Sequence, residues 1–210
     1  MSTYQLYCFG ESGNAYKAAL MLSLCKLDWS PVFVDFFNGE TRGPDFRSKV
    51  NAMGEVPVLV HGDKKIAQSG VILDYLAEQA RKFGPKSEDE RREILRWMLF
   101  DNHKFTSYIA TLRYLISLAK TGETPVTEFL RQRCINSLKI VDGHLASQPY
   151  LLGKRCTIAD LSLCGYLYYG EELSLSLDPF THVQNWLDRL KSLPGWKHPY
   201  DLMPRAPKAS

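Results

Sequence analysis

Ser12 follows a short apolar run, Tyr4-Gln5-Leu6-Tyr7-Cys8-Phe9, through the turn Gly10-Glu11-Ser12-Gly13-Asn14, and stands where a helical pattern begins. A hydroxyl at such a turn can accept a hydrogen bond from an orphan backbone N–H of the first helical turn, the role of an N-cap. It can also donate its own proton to an anion drawn there by the free N–H groups and the positive end of the helix dipole. A second stretch of this kind, Gln68-Ser69-Gly70-Val71-Ile72-Leu73, opens a later helix with two hydrogen-bonding side chains, a setting that suits a carboxylate. Between them, Gly54-Glu55-Val56-Pro57-Val58-Leu59 puts a proline at a strand entry, where it cannot donate to a sheet ladder. On frequency alone the proline reads as trans and each serine as a cap.

The elements around these residues alternate between strand-like and helix-like patterns over residues 1–80, which argues for an α/β unit. After Tyr4 to Phe9 comes a helix from Asn14 to Cys25, then a strand from Pro31 to Val34. The loop Phe37 to Gly43 leads into a short helix starting near Pro44, where proline fits the first turn. Val56 to Val60 and Lys65 to Ala67 flank the turn His61-Gly62-Asp63-Lys64 as a hairpin, and a helix from Ser69 to Gln79 closes the unit. The order is βαβ followed by ββα. Residues 81–88 read as a linker, with Gly84-Pro85 and a charge run entering a helix start. Residues 89–210 read as an all-helical domain, with apolar residues at spacings of three and four in Ile94 to Leu118, Phe129 to Leu145 and Ile158 to Leu167. Thr157-Ile158-Ala159-Asp160 has the form of a capping box. The tail from Pro199, rich in Pro, Lys and Ala, reads as loosely ordered.

Composition narrows the partners. A chain of 210 residues with 45% hydrophobic content can bury a real core. A net charge of +3 with dispersed Lys and Arg argues against nucleic acid or an anionic membrane surface as the main partner. No apolar run approaches the roughly 20 residues of a membrane span, and the N-terminus shows no charged segment ahead of a long apolar one, so a cytoplasmic address is expected. The cysteines Cys8, Cys25, Cys134, Cys156 and Cys164 include no CxxC pair and read as reduced, buried thiols. The histidines are scattered, and no metal site is expected.

With Ser12, Val56-Pro57, Gln68-Ser69 and the Thr157 box in this order, the chain resembles the glutathione S-transferase superfamily over nearly its whole length, in its bacterial-like, serine-type (theta, nu or beta-like) cytosolic form. The resemblance implies the glutathione S-transferase fold, a thioredoxin-like α/β domain followed by an all-α domain. It implies glutathione as co-substrate, no metal, a small hydrophobic electrophile as second substrate, and a homodimer. In that likeness Ser12 acts on the glutathione sulfur, Val56 and Pro57 resemble the cis-proline element whose preceding backbone pairs with the cysteinyl part, and Gln68-Ser69 resembles the pair holding the γ-glutamyl carboxylate. Glu55 stands where many relatives carry a basic or neutral residue, which leaves the glycine carboxylate to Thr41 or Arg42. Asn14 is either a second donor or a residue of the first helical turn. Tyr7 is a rival for the activating hydroxyl and Cys8 for a redox role.

The likeness extends to the first long helix of the helical half. Asp101 resembles an acidic position that reaches across a dimer interface towards the glutathione amino group, and Phe105 and Tyr108 are expected to line the hydrophobic substrate pocket. The activity implied is formation of the glutathione thiolate and its conjugation to electrophiles. Fold does not fix reaction, so a glutathione-dependent peroxidase, dehalogenase or isomerase, or a non-catalytic binding module, stand as alternatives.

Overall fold

The structure is a computed structural model that describes residues 3–205. They form two compact units, one made of the chain up to Lys82 together with the residues from Pro194 on, the other of Phe83–Leu193.

The first unit is built on β1 (Tyr4–Cys8), α1 (Gly13–Leu24), β2 (Trp29–Phe33), a 3-10 turn at Glu40–Arg42, α2 (Pro44–Lys49), β3 (Val58–His61), β4 (Lys64–Ala67) and α3 (Ser69–Ala80). Its sheet has the order β2-β1-β3-β4, with β1 and β2 parallel and the other two pairings antiparallel. Two strand starts differ by two residues from the sequence pattern, both near prolines. β3 starts at Val58 rather than Val56, because Pro57 has no N–H to add to the ladder. β2 spans Trp29–Phe33 with Pro31 opposite Leu6, which is tolerated because β2 is an edge strand.

Tyr4, Leu6 and Cys8 alternate inward along β1, as expected of a strand with one covered face. Leu6, Leu20, Leu22, Leu59, Ile72 and Leu73 are all fully buried, each contributing roughly 1.5 to 3 kcal/mol by leaving water. α1 is buried on nearly all sides, so it carries almost no polar face. The Val56–Pro57 bond is cis.

The second unit begins with α4 (Glu88–Phe100), whose N-cap Ser87 accepts from the Glu90 N–H at 3.2 Å. The apolar period becomes visible only at Ile94, because the first turn is spent on Glu88, Asp89 and Glu90, which suit the positive end of the helix. Glu90 is held below the usual carboxylate range by the Lys86 backbone N–H and by Arg155. The run expected as one helix from Ile94 to Leu118 is interrupted. A π-helical turn at Asp101–Phe105 leads into α5 (Thr106–Arg113), and a second π turn covers Tyr114–Leu118. The first break has a local cause. Thr106 donates its backbone N–H to the Asp101 carbonyl and its hydroxyl to Asp101 Oδ1 at 2.5 Å, so one residue pair makes both bonds at the wider spacing.

α6 (Pro125–Leu145) starts earlier than its apolar pattern, from a capping box between Thr124 and Thr127 with Pro125 at the first turn. α7 (Ile158–Leu163) carries the expected Thr157–Asp160 box and runs into a 3-10 turn at Cys164–Tyr166. α8 (Thr181–Lys191) is capped from outside itself, since Asp142 Oδ1 on α6 accepts from the N–H groups of His182 at 2.9 Å and Val183 at 3.0 Å. No helix among the described residues is long and apolar enough to cross a membrane.

The tail departs from expectation. Residues from Pro194 pack with the first unit instead of completing the helical one, and up to Arg205 they are held rather than loose. Ser23 donates to the Gly195 carbonyl at 2.6 Å and the Tyr16 hydroxyl to that of Lys197 at 2.9 Å. α9 (Pro199–Leu202) follows, Met203 is buried, and the Gly10 N–H reaches the Pro204 carbonyl at 2.6 Å. A Pro- and Lys-rich composition hides this, because the segment binds through its backbone carbonyls.

Candidate active site

The register gathers the chemistry at one end of the sheet. Tyr7 of β1 lies opposite Val58 of β3, and Val58 opposite Ala67 of β4, so the three strands end in one row. One or two residues beyond that row lie the Val56–Pro57 and Gln68–Ser69 steps, and the turn from Gly10 to Ser12 lies three to five residues beyond it. Strands sit about 4.8 Å apart, so the row from β1 to β4 spans about 10 Å, which matches three extended residues at roughly 3.3 to 3.6 Å each.

Ser12 is buried and has extended backbone angles at the N-cap of α1, where its Oγ accepts from the Ala15 N–H at 3.1 Å. That bond fixes the oxygen by a lone pair and leaves the proton uncommitted: the hydroxyl has no acceptor among the described residues. Asn14 lies within the first turn, half-buried, and its Oδ1 is buried without a hydrogen-bond partner among the described residues.

Val56 precedes the cis bond, and neither its N–H nor its C=O is paired with another described residue. An unpaired donor and acceptor at a strand entry are the two groups an added peptide strand uses. The loop that brings Val56 there is ordered by Asn51, whose backbone and side chain take the Gly54 N–H at 2.9 Å and reach the Glu55 carbonyl at 2.9 Å. Gly54 has φ +68, and a Cβ on it would lie 2.8 Å from the Thr41 carbonyl and 3.0 Å from Arg47 Nη2, so only glycine fits between them. Thr41 is therefore buried against the Val56 loop, while Arg42 on the same 3-10 turn is exposed. Arg47 was not singled out from sequence, since a cation on a short helix carries no signal of what it faces.

Gln68 and Ser69 divide their roles. Gln68 takes φ +69 at the N-cap of α3 but does not cap it; its amide donates to Glu55 Oε2 at 2.9 Å instead. The first N–H groups of α3 thus have no side-chain cap, beside the buried Ser69. Glu55, read from sequence as a departure from the family pattern, is drawn to that end by Gln68.

Other expected site residues fall elsewhere. Asp101 is completely buried in the second unit, where Oδ1 accepts from Thr106 and Oδ2 from Ser162, both at 2.5 Å. Complete burial inside its own unit gives the expected role towards an amino group no support; Asp101 bonds across a helix break. Phe105 is 1% exposed in the core of the same unit, packed near Phe100, which removes it from a substrate pocket. Tyr108 is half-buried on α5. Tyr7 is half-buried in β1 with its ring edge-on to Phe46. Cys8 is fully buried, and burial pushes its thiol up to about 12, far from a reactive thiolate. The other four cysteines are also buried and outside any disulfide. No group of three or more His, Cys, Asp or Glu side chains suited to a metal ion occurs among the described residues.

A thioredoxin-like unit with this row of sites, followed by a helical unit, defines a recognisable class of two-domain proteins. Residues 2–78 match the family model "Glutathione S-transferase, N-terminal domain" and residues 106–194 match "Glutathione S-transferase, C-terminal domain". Glutathione S-transferase F14 of Arabidopsis thaliana is 32% identical over 96% of this chain and 87% of its own length. Among solved structures, a glutathione S-transferase from Pseudomonas fluorescens is 31% identical with a TM-score of 0.88, covering 95% of this chain and all of that one. A possible glutathione S-transferase from Rhodopseudomonas palustris is 34% identical with a TM-score of 0.88, covering 94% of this chain and 98% of that one. The chain belongs to the glutathione S-transferase family of enzymes.

Proposed function

We propose that this enzyme binds glutathione along the Ser12, Val56 and Ser69 row, holds its sulfur as the thiolate at Ser12, and conjugates it to small hydrophobic electrophiles. The observation that carries this reading is the Ser12 hydroxyl, capped through its oxygen by Ala15 and free to donate its proton. The cysteinyl backbone of the tripeptide would pair with Val56, its γ-glutamyl carboxylate would take the uncapped α3 N-terminus with Ser69 and Gln68, and its glycine carboxylate would face Thr41, Arg42 and Arg47. Asn14 supports the same turn.

The magnitudes are adequate. A thiol titrates near about 8.5, and bringing it to about 6.5 takes roughly 2.7 kcal/mol of selective stabilisation of the anion. A hydrogen bond to a charged group contributes about 1.5 to 3 kcal/mol, and a helix N-terminus about 0.3 to 1. Ser12 therefore acts as a donor and no general base is needed. The inert, buried Cys8 supports glutathione as the only source of reactive sulfur at this turn.

Retention on immobilised glutathione, followed by conjugation of a generic aryl halide, tests the reading; a protein that neither binds nor conjugates would end it. The same reading takes the protein as a cytoplasmic homodimer, and a sizing column that returned only the single-chain mass would refute the dimer. Ser69→Ala is expected to weaken glutathione binding about tenfold, measured by calorimetry, because the γ-glutamyl carboxylate loses a charge-assisted bond of about 1.5 kcal/mol or more. An unchanged affinity would remove Ser69 from the site.

A further inference from the structure

The γ-glutamyl end of glutathione carries an α-carboxylate and an α-ammonium on one carbon, and the open start of α3 answers only the first. Ser69 is 6% exposed and its hydroxyl has no hydrogen-bond partner among the described residues, so with the uncapped N–H groups it offers donors to a carboxylate. The ammonium needs acceptors, and bonds of about 1.5 Å to the shared carbon keep it beside the carboxylate. Asp101 is completely buried in the second unit. In the first unit, the carboxylate tied to the α3 start is that of Glu55, whose Oε2 accepts from Gln68 Nε2 at 2.9 Å. That bond also orients the amide. A carboxylate only accepts, so Gln68 turns its Nε2 to Glu55, with the Met53 sulfur as a second neighbour of that nitrogen at 3.6 Å. Gln68 Oε1 and Glu55 Oε1 are left with no partner among the described residues, and both side chains are exposed. Glu55 forms no ion pair among the described residues either: Lys49 pairs with Asp45 at 3.0 Å, and Lys65 donates to the Lys49 carbonyl.

We propose that Glu55 is a specificity residue for glutathione, its carboxylate binding the γ-glutamyl α-ammonium with Gln68 as its tether. This rests on the reading of the α3 start as the γ-glutamyl site. Both oxygens of Glu55 and Oε1 of Gln68 match in number the three donors of an ammonium. The charge also accounts for an acid beside Val56. A glycine carboxylate held there would be repelled by Glu55, whereas an ammonium is attracted. A ligand with the γ-glutamyl carboxylate but no ammonium would meet an unpaired like charge, so the same residue that favours glutathione disfavours its deaminated analogue.

The test is calorimetric titration of wild type, Glu55→Gln and Glu55→Lys with glutathione and with its glutaryl analogue, in which hydrogen replaces the γ-glutamyl amino group. Wild type should bind glutathione at least about fivefold more tightly than the analogue, the upper range for one exposed charge pair. Glu55→Gln removes the charge, keeps the size and can still accept from Gln68. It should weaken glutathione about fivefold and leave the analogue within about twofold of wild type, so that the preference disappears. Glu55→Lys should invert the preference. An unchanged glutathione affinity in Glu55→Gln, an equal loss for both ligands, or a wild type that does not distinguish them would each overturn the inference while leaving the proposed function standing. Absence of glutathione binding by wild type would instead overturn the proposed function, and this inference with it.

Discussion

Ser12→Ala is expected to lower kcat/KM for conjugation at neutral pH by at least about tenfold, the cost of losing one charge-assisted hydrogen bond of about 1.5 kcal/mol. The loss should shrink above roughly pH 9, where the thiol ionises unaided, so the pH profile separates failure to form the thiolate from failure to bind. The same substitution removes the acceptor for the Ala15 N–H, and about 1 kcal/mol of stability should go with it. Ser12→Thr keeps both bonds and should retain most of the activity and most of the stability. Thermal unfolding and steady-state kinetics on the two variants measure both effects. A loss below threefold for Ser12→Ala at neutral pH would show that another group holds the sulfur.

The largest effect on stability is expected at Asp160, in the second unit. Its carboxylate is completely buried in the second unit and accepts four hydrogen bonds. Oδ1 takes the Leu151 N–H and the Trp186 indole N–H, both at 2.9 Å; Oδ2 takes the Thr157 N–H at 2.8 Å and the Thr157 hydroxyl at 3.1 Å. Burial pushes the Asp160 carboxyl above the usual range while the donors pull it back. One side chain thus ties together the start of α7, the loop at Leu151 and the fully buried Trp186 of α8. Asp160→Ala orphans these buried donors, each at roughly 1 to 3 kcal/mol when left unsatisfied. The unit should lose at least about 3 kcal/mol, or about 6 to 12 °C in unfolding midpoint at this chain size. Asp160→Asn keeps one acceptor oxygen and should fall between the two. A midpoint within about 2 °C of wild type for Asp160→Ala would mean that the box has no structural weight.

These two residues also mark how far local pattern carries. The Thr157–Asp160 box is visible in sequence because a capping box is made within four residues, and its N-terminal half is formed as expected. That Asp160 also holds Trp186 and Leu151 is invisible there, because those partners come from other elements. Ser12 and Ser69 were legible for the same local reason: a helix start exposes N–H groups whatever surrounds it. Asp101 misled for the opposite reason. A position on a helix says nothing of which side chains will reach it, and Thr106 and Ser162 take both of its oxygens. Phe105 misled likewise, since an aromatic at helical spacing fits a core as well as a pocket.

The sequence alone determined the alternation of strands and helices in the first unit, the helical character of the second, and the residue types able to seat anions at two helix starts. These follow from hydrophobic period and capping, which are properties of neighbours along the chain. Only the tertiary structure decided that the strand register puts Tyr7, Val58 and Ala67 in one row at the sheet end from which the chain runs to Ser12, Val56 and Ser69, that Gln68 turns from its own helix to Glu55, and that the residues from Pro194 return to the first unit to set Arg205 against Glu11. Those facts depend on which distant segments meet, and a pairing between residues 11 and 205 leaves no trace in the composition of either.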